Sequence, residues 1–373
     1  MVYRYIIYSL SLLLLLNSCI TKFTPQIDEY DNIIVVESLL TDENRTNYVK
    51  LSRTIPTGLA GLSSPLTSAN VIFLYGNNQA VVLDEKHPGY YCTDSLTFRG
   101  EVGETYRLKI VTPEDRVYES TPMLMKGVPD IDSLYSEFEF YDDRLNWPPL
   151  FLYNIYFDSW DDSKVCRYYR WTYEEVWEYH LPWHYPPPEK SICWISRNSS
   201  DILIKNNSTL EEDRISRFPL ISIDNKQDAR LFQKYSIQLK QYSISEDEYL
   251  YWESMKKITQ EQGGLYDPIP KPLIGNVSSI EDPTEPVLGY FSVSSVATKR
   301  HFIRNDSLKY LAGGQWCVTD TVQTIEEISG LNTYVFILAE IDEVGFLITT
   351  FEQCADCTVS GTNIAPSFWN DDE

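Results

Sequence analysis

The stretch Thr105-Tyr-Arg-Leu-Lys-Ile-Val-Thr-Pro-Glu-Asp-Arg-Val-Tyr-Glu119 decides the fold. Two runs without a helical period, 105–111 and 116–119, flank Thr112-Pro-Glu-Asp115, whose proline suits the second position of a type I turn. That is a hairpin. Working outward, Ile33-Ile-Val-Val-Glu37, Tyr48-Val-Lys-Leu51, Asn70-Val-Ile-Phe-Leu-Tyr75, Ala80-Val-Val-Leu83 and Gly89-Tyr-Tyr-Cys92 are runs of the same kind. Short strands at such regular spacing predict an antiparallel β-sandwich over residues 32–128. In Gly100-Glu-Val-Gly-Glu-Thr-Tyr106 a tyrosine follows a glycine-containing turn at the start of a strand, as in the tyrosine corner of immunoglobulin-like sandwiches.

Residues 129–373 stay strand-rich and become more aromatic. Tyr169, Trp171, Tyr173, Trp177 and Tyr179 share one face of a run, while Arg170, Thr172, Glu174 and Glu178 share the other. That period of two predicts a half-buried strand. Leu231, Tyr235, Ile237 and Leu239 repeat the pattern. One helix stands out near 246–262. Ser245-Glu-Asp-Glu248 reads as a capping box, with Ser245 accepting from the backbone and Glu248 reaching back, and Gly263-Gly264 ends the helix. Trp252, Met255 and Thr259 form its apolar stripe. The fold expected is mainly β: an N-terminal immunoglobulin-like antiparallel sandwich, then a larger antiparallel β domain with one helix.

The chain has 373 residues, with 54 Asp+Glu against 31 Lys+Arg and a formal net charge of −23. Such a surface repels a polyanion, so nucleic acid is excluded as a partner. A hydrophobic content of 43% is enough to bury a core and excludes wholesale disorder. No G-x-S-x-G elbow, H-E-x-x-H, Walker loop or G-x-G-x-x-G is present. No catalytic residue, metal or cofactor is therefore expected. His180 and His184 are four apart, but Pro182 between them argues against a helix that would aim both at one metal. The acidic run Asp158-Ser-Trp-Asp-Asp162 lacks the turn glycine of a calcium loop and reads as a solvated loop.

The first eighteen residues read as a lipoprotein signal peptide. Arg4 is the positive flank, and the apolar stretch Ile6–Leu16 is too short for the roughly 20 residues a spanning helix needs. Leu16-Asn17-Ser18-Cys19 resembles a bacterial lipobox, which makes Cys19 the lipid acceptor and residues 19–31 a lipidated tether. An ordinary secretory signal with an incidental cysteine is the alternative. The expectation is an outer-membrane protein held through the Cys19 lipid, with the surface and periplasmic faces both open.

Six cysteines remain, an even number that in an exported protein points to disulfides. Cys354-Ala-Asp-Cys357 admits three readings: a redox pair, half a zinc site or a structural staple. No helix follows it to stabilise a thiolate, and no second close pair completes a zinc site. The staple is favoured, with Cys317 and Cys193 as partners. Whether Cys92 and Cys166 pair stays open.

Six of the nine tryptophans, Trp147, Trp160, Trp171, Trp177, Trp183 and Trp194, fall between residues 147 and 194. Trp171 and Trp177 belong to the strand and read as core. Trp183, His184 and Tyr185 precede Pro186-Pro-Pro188, and Trp147 precedes Pro148-Pro149. Aromatic faces on proline-stiffened loops lose little entropy on contact, so these four are the candidate binding residues. A protein partner and a glycan or peptide ligand both suit them, as does simple packing.

Particular motifs carry a family resemblance: Ile34-Val-Val-Glu-Ser38, Cys193-Trp194-Ile195, Gln241-Tyr-Ser-Ile-Ser-Glu246 with Tyr251-Trp252, Gly275-Asn276, Val287-Leu-Gly-Tyr-Phe-Ser292, Lys299-Arg300, and Cys354-Ala-Asp-Cys357 with Pro366-Ser-Phe-Trp369. In these the chain resembles a family of Bacteroidota outer-membrane lipoproteins with domain of unknown function 4249, typically encoded beside TonB-dependent receptors. The resemblance implies a non-enzymatic accessory protein of an outer-membrane uptake system, binding the receptor or its cargo. It carries no catalytic residues. A stand-alone glycan- or peptide-binding surface lipoprotein is the second reading, and a hydrolase with a cryptic acidic site the third.

Overall fold

The computed structural model describes residues 32–55, 63–77, 79–94, 98–141, 150–181, 187–224, 230–260, 273–304, 319–329, 331, 334–341 and 345–370. Thr105–Val111 and Val117–Ser120 form the hairpin read from the sequence. Its turn is closed by the Asp115 N–H donating to the Thr112 carbonyl at 2.9 Å. Asp115 takes a positive φ of 62°, a conformation that aspartate tolerates better than most side chains. Tyr106 is buried, and its hydroxyl accepts the Glu101 N–H at 2.8 Å, which is the corner contact its sequence context suggested.

The first sheet runs Val277–Ser279, Val117–Ser120, Thr105–Val111, Asn70–Tyr75, Gln79–His87, Tyr90–Cys92, Tyr48–Arg53, Ile34–Thr41, Val287–Ser294. Its pairs are antiparallel except the last, where Ile34–Thr41 lies parallel to Val287–Ser294. The two edge strands come from one late segment, which closes the sheet on itself. Asn276 makes the joint: its Oδ1 accepts the Phe291 N–H and its Nδ2 donates to the Phe291 carbonyl, both at 2.9 Å. A side-chain amide thus stands in for a ladder pair. The enclosed core holds Val36, Leu51, Phe73, Leu108 and Ile110, and also Tyr251, Val287 and Phe291 from far along the chain.

Closure requires two backbones to touch, and glycine permits it. A Cβ on Gly275 would lie 1.6 Å from the Gly289 carbonyl oxygen, and one on Gly289 would lie 2.0 Å from the Val36 carbonyl oxygen. Gly289 also holds a φ of 85°.

A second core lies between a three-stranded sheet (Ile131–Tyr141, Leu150–Trp160, Arg214–Asp224) and a five-stranded one. The latter runs Ile192–Asn198, Tyr168–His180, Lys234–Ser243, Val296–Arg304, with Leu203–Asn206 beside Tyr168–His180. The aromatic alternation appears as read: Tyr169, Trp171, Tyr173, Trp177 and Tyr179 are all buried. Trp171 donates its indole N–H to Gln241 at 2.9 Å, and Gln241 donates onward to the Pro129 carbonyl and the Ser159 hydroxyl. A buried amide so satisfied ties both sheets and the incoming chain together.

The helix Glu246–Gln260 packs on the first core and against Tyr168–His180. Ser245 caps it, accepting the Glu248 N–H at 3.1 Å. The other half of the expected capping box is corrected: the Glu248 side chain turns inward and is fully buried. The expected stripe shifts too. Glu248, Tyr251, Trp252 and Met255 face the protein, whereas Thr259 is exposed and donates to the Met255 carbonyl at 2.9 Å. Two shorter helices, Pro188–Ser191 and Ile325–Ser329, a small sheet of Asp320–Val322, Gly345–Thr349 and Phe336–Ile341, the short strands Ser64–Pro65 and Met123–Leu124, and the 3-10 turns Glu352–Cys354 and Cys357–Val359 complete the described elements.

Candidate functional site

The hairpin Ile131–Tyr141/Leu150–Trp160 outruns the sheet it belongs to. Among the described residues its third strand pairs from Leu152, opposite Asp224, and residues 140–141 and 150–151 lie past that pair. Alternation places Leu134, Ser136, Phe138 and Phe140 on the face that lines the core. Leu134 is buried, but Phe138 is 48% and Phe140 53% exposed, because the core ends before the strand does. Across the hairpin Phe138 pairs with Tyr153, ring centroids 5.1 Å apart, and Phe140 pairs with Phe151 at 5.2 Å. Phe151 itself is buried. On the opposite face lie Glu137, Glu139 and Tyr141. Arg217 pairs with Glu137 at 2.6 Å, and the Glu139 carboxylate pushes the Tyr141 phenol up. The hairpin thus ends in an aromatic face backed by carboxylates, with about half of each of the Phe138 and Phe140 rings left in water.

Trp147 belongs to the connection 142–149 between these two strands, and Trp183, His184 and Tyr185 to 182–186. All four lie outside the described residues, as do Cys19 and Cys317. Phe138 and Phe140 were missed from the sequence, although Ser136-Glu-Phe-Glu-Phe140 alternates cleanly; nothing in that pattern says where the core stops. His180, for which Pro182 argued against a helix, ends the strand Tyr168–His180 and meets Glu178 at 2.6 Å. Of the clustered tryptophans Trp171 and Trp177 are core, and Trp160 is exposed at the far end of the hairpin.

The acidic run is not a solvated loop. Asp158 accepts from Ser133 and from the Arg217 N–H, and the buried Asp161 accepts from Ser163 and the Cys166 N–H. Those hydrogen bonds hold the carboxyl of Asp158 below its usual range against the opposing effect of its partial burial. Asp213 takes the Tyr169 hydroxyl at 2.8 Å and the Asn207 amide at 2.6 Å. These oxygens serve chain reversal. Among the described residues no group of three His, Cys, Asp or Glu is arranged to hold a metal ion.

Two buried ionic centres went unread. Glu175 accepts from Arg230 and from the Tyr235 hydroxyl, which burial and the carboxylate push up. Glu248 accepts the Ser292 hydroxyl at 2.6 Å and the Trp252 indole N–H at 3.2 Å. Arg170 lies 4.0 Å over the Trp252 ring, and burial lowers its guanidinium. A charge inside an apolar stripe is visible in a sequence only when the helix phase is already known.

The cysteine staple is present. Cys193 and Cys357 are disulfide-bonded, and Cys354 is also in a disulfide, while Cys92 and Cys166 are free thiols.

A family model described as a domain of unknown function, DUF4249, matches residues 20–300, well over half of the chain. The chain belongs to that family. No curated protein matches it.

Proposed function

We propose that this family member is a lipid-anchored, non-catalytic binding component of an outer-membrane, TonB-dependent uptake system. It is tethered through Cys19 and docks with the aromatic end of the hairpin Ile131–Tyr141/Leu150–Trp160. The observation that carries the reading is the exposure of Phe138 and Phe140 on a face continuous with the core. Removing the remaining half of each ring from water on docking contributes about 1 kcal/mol. In the sequence Trp147 falls between the same two strands, and the lipobox-like run before Cys19 supports the anchor.

The test is co-purification of a TonB-dependent receptor, using the parent chain and a Phe138→Ser, Phe140→Ser variant. The receptor is expected with the parent and lost with the variant. Receptor retained by the variant sinks the docking site. A solitary chain that retains glycan favours the stand-alone binding reading instead. Cys19→Ala is expected to release the chain from the membrane fraction.

A further inference from the structure

The C-terminal residues lie across the outer face of the five-stranded sheet. Thr362 pairs by backbone with Trp194, N–H to carbonyl at 2.7 and 3.0 Å, adding one bridge to the edge strand Ile192–Asn198. Beyond it, Trp369 donates its indole N–H to Glu178 on the next strand at 3.2 Å. Lys234, one strand further, donates to the Trp369 carbonyl and stands 5.1 Å over its ring. On the last strand Arg300 lies 3.4 Å from the centre of the Phe368 ring. The segment therefore touches every strand of the path.

This seat differs from a core. Trp369 is 4% exposed yet belongs to neither hydrophobic cluster. Trp369 meets the Glu178 carboxylate, the Lys234 ammonium and the Trp194 and Phe302 rings edge-on, while Phe368 takes the Arg300 guanidinium; these groups recognise an indole N–H and two aromatic faces by hydrogen bonding, edge contact and cation–π contact. Nothing in that set requires the peptide to be joined to this chain.

We infer that the face formed by Trp194, Glu178, Lys234 and Arg300 is a recognition groove for a peptide presenting adjacent aromatic residues on a tight turn, filled in cis by Phe368-Trp369, whose turn is closed by the Trp369 N–H donating to the Pro366 carbonyl at 3.0 Å. The Cys193–Cys357 disulfide fixes the segment beside its seat. A short tether gives an effective concentration on the order of millimolar, so a free peptide competes poorly with the intact chain.

The experiment uses the full-length chain carrying Phe368→Ala and Trp369→Ala, with a fluorescein-labelled synthetic peptide of residues 361–373 as the probe. Anisotropy is expected to report binding at least about tenfold tighter to the variant than to the parent, whose groove is occupied. Adding Arg300→Ala to the variant is expected to lose about tenfold, the scale of one desolvated cation–π contact. Equal binding to parent and variant, or none to either, overturns the inference. A variant that no longer folds overturns it as well, because a groove filled in cis must survive emptying. Receptor co-purification is read separately, so either proposal can fail alone.

Discussion

Glu248 accepts the Ser292 hydroxyl at 2.6 Å from within a fully buried site, joining the helix to the strand that closes the first sheet. Burial pushes its carboxyl above the ordinary 4.5, against the lowering pull of Ser292, Arg170 and Trp252. A raised folded value means the native state holds this proton more tightly than the unfolded chain. The contribution is fully present below pH 4.5 and is lost as pH rises through the folded value. Glu248→Gln keeps an acceptor for Ser292 and removes the titration. Urea midpoints of variant and parent, compared stepwise from acid to neutral pH, should shift in favour of the variant. A pH-independent difference would reject this assignment.

Gln241 partners the Trp171 indole, the Pro129 carbonyl and the Ser159 hydroxyl, the last of which also donates to the Asp130 carbonyl at 3.1 Å. Gln241→Leu preserves size and strands the indole and the Pro129 carbonyl. The expected cost is about 2–4 kcal/mol, read from urea unfolding. A loss under about 0.5 kcal/mol would show that water replaces the amide.

Gly289 meets the Val36 carbonyl where no side chain fits. Gly289→Ala is expected to lower stability by about 3 kcal/mol or more, since strain in φ adds to the clash. Hydrogen exchange should localise the damage to Ile34–Thr41 and Val287–Ser294, and protection unchanged there would contradict the close approach.

The cysteines separate by reactivity. Peptide mapping without reduction should return Cys193 linked to Cys357, with Cys317 expected as the partner of Cys354. Burial pushes the Cys166 thiol up to about 12, so iodoacetamide at mildly alkaline pH should modify it only after unfolding. Cys193→Ala opens a link between residues 164 apart and should cost about 4 kcal/mol. Modification of native Cys166 would be the contrary result.

Much of the local structure was legible because it rests on local rules. The hairpin at Thr112-Pro-Glu-Asp115, the corner at Tyr106, the aromatic face of Tyr168–His180 and the Ser245 cap each depend on neighbours within a few residues. Where reading failed, a distant partner overrode the local rule. Glu248 had a capping role available, yet Ser292 and Trp252 drew its carboxylate inward. Asp158 looked like loop charge, yet the Arg217 N–H, 59 residues on, donates to it at 2.7 Å.

By itself the sequence determined a β-rich, acidic chain, its strand positions, its lipobox-like start and the cysteines that staple it. These follow from period, turn chemistry and charge, which a linear chain states directly. Tertiary structure alone decided that Val287–Ser294 lies parallel to Ile34–Thr41, that Asn276 closes the sheet, and that Phe138 and Phe140 pass beyond the core. Each is a meeting of segments far apart in the chain. No residue's pattern records its partner's address, because burial is a property of the assembled surface and not of the strand that contributes to it.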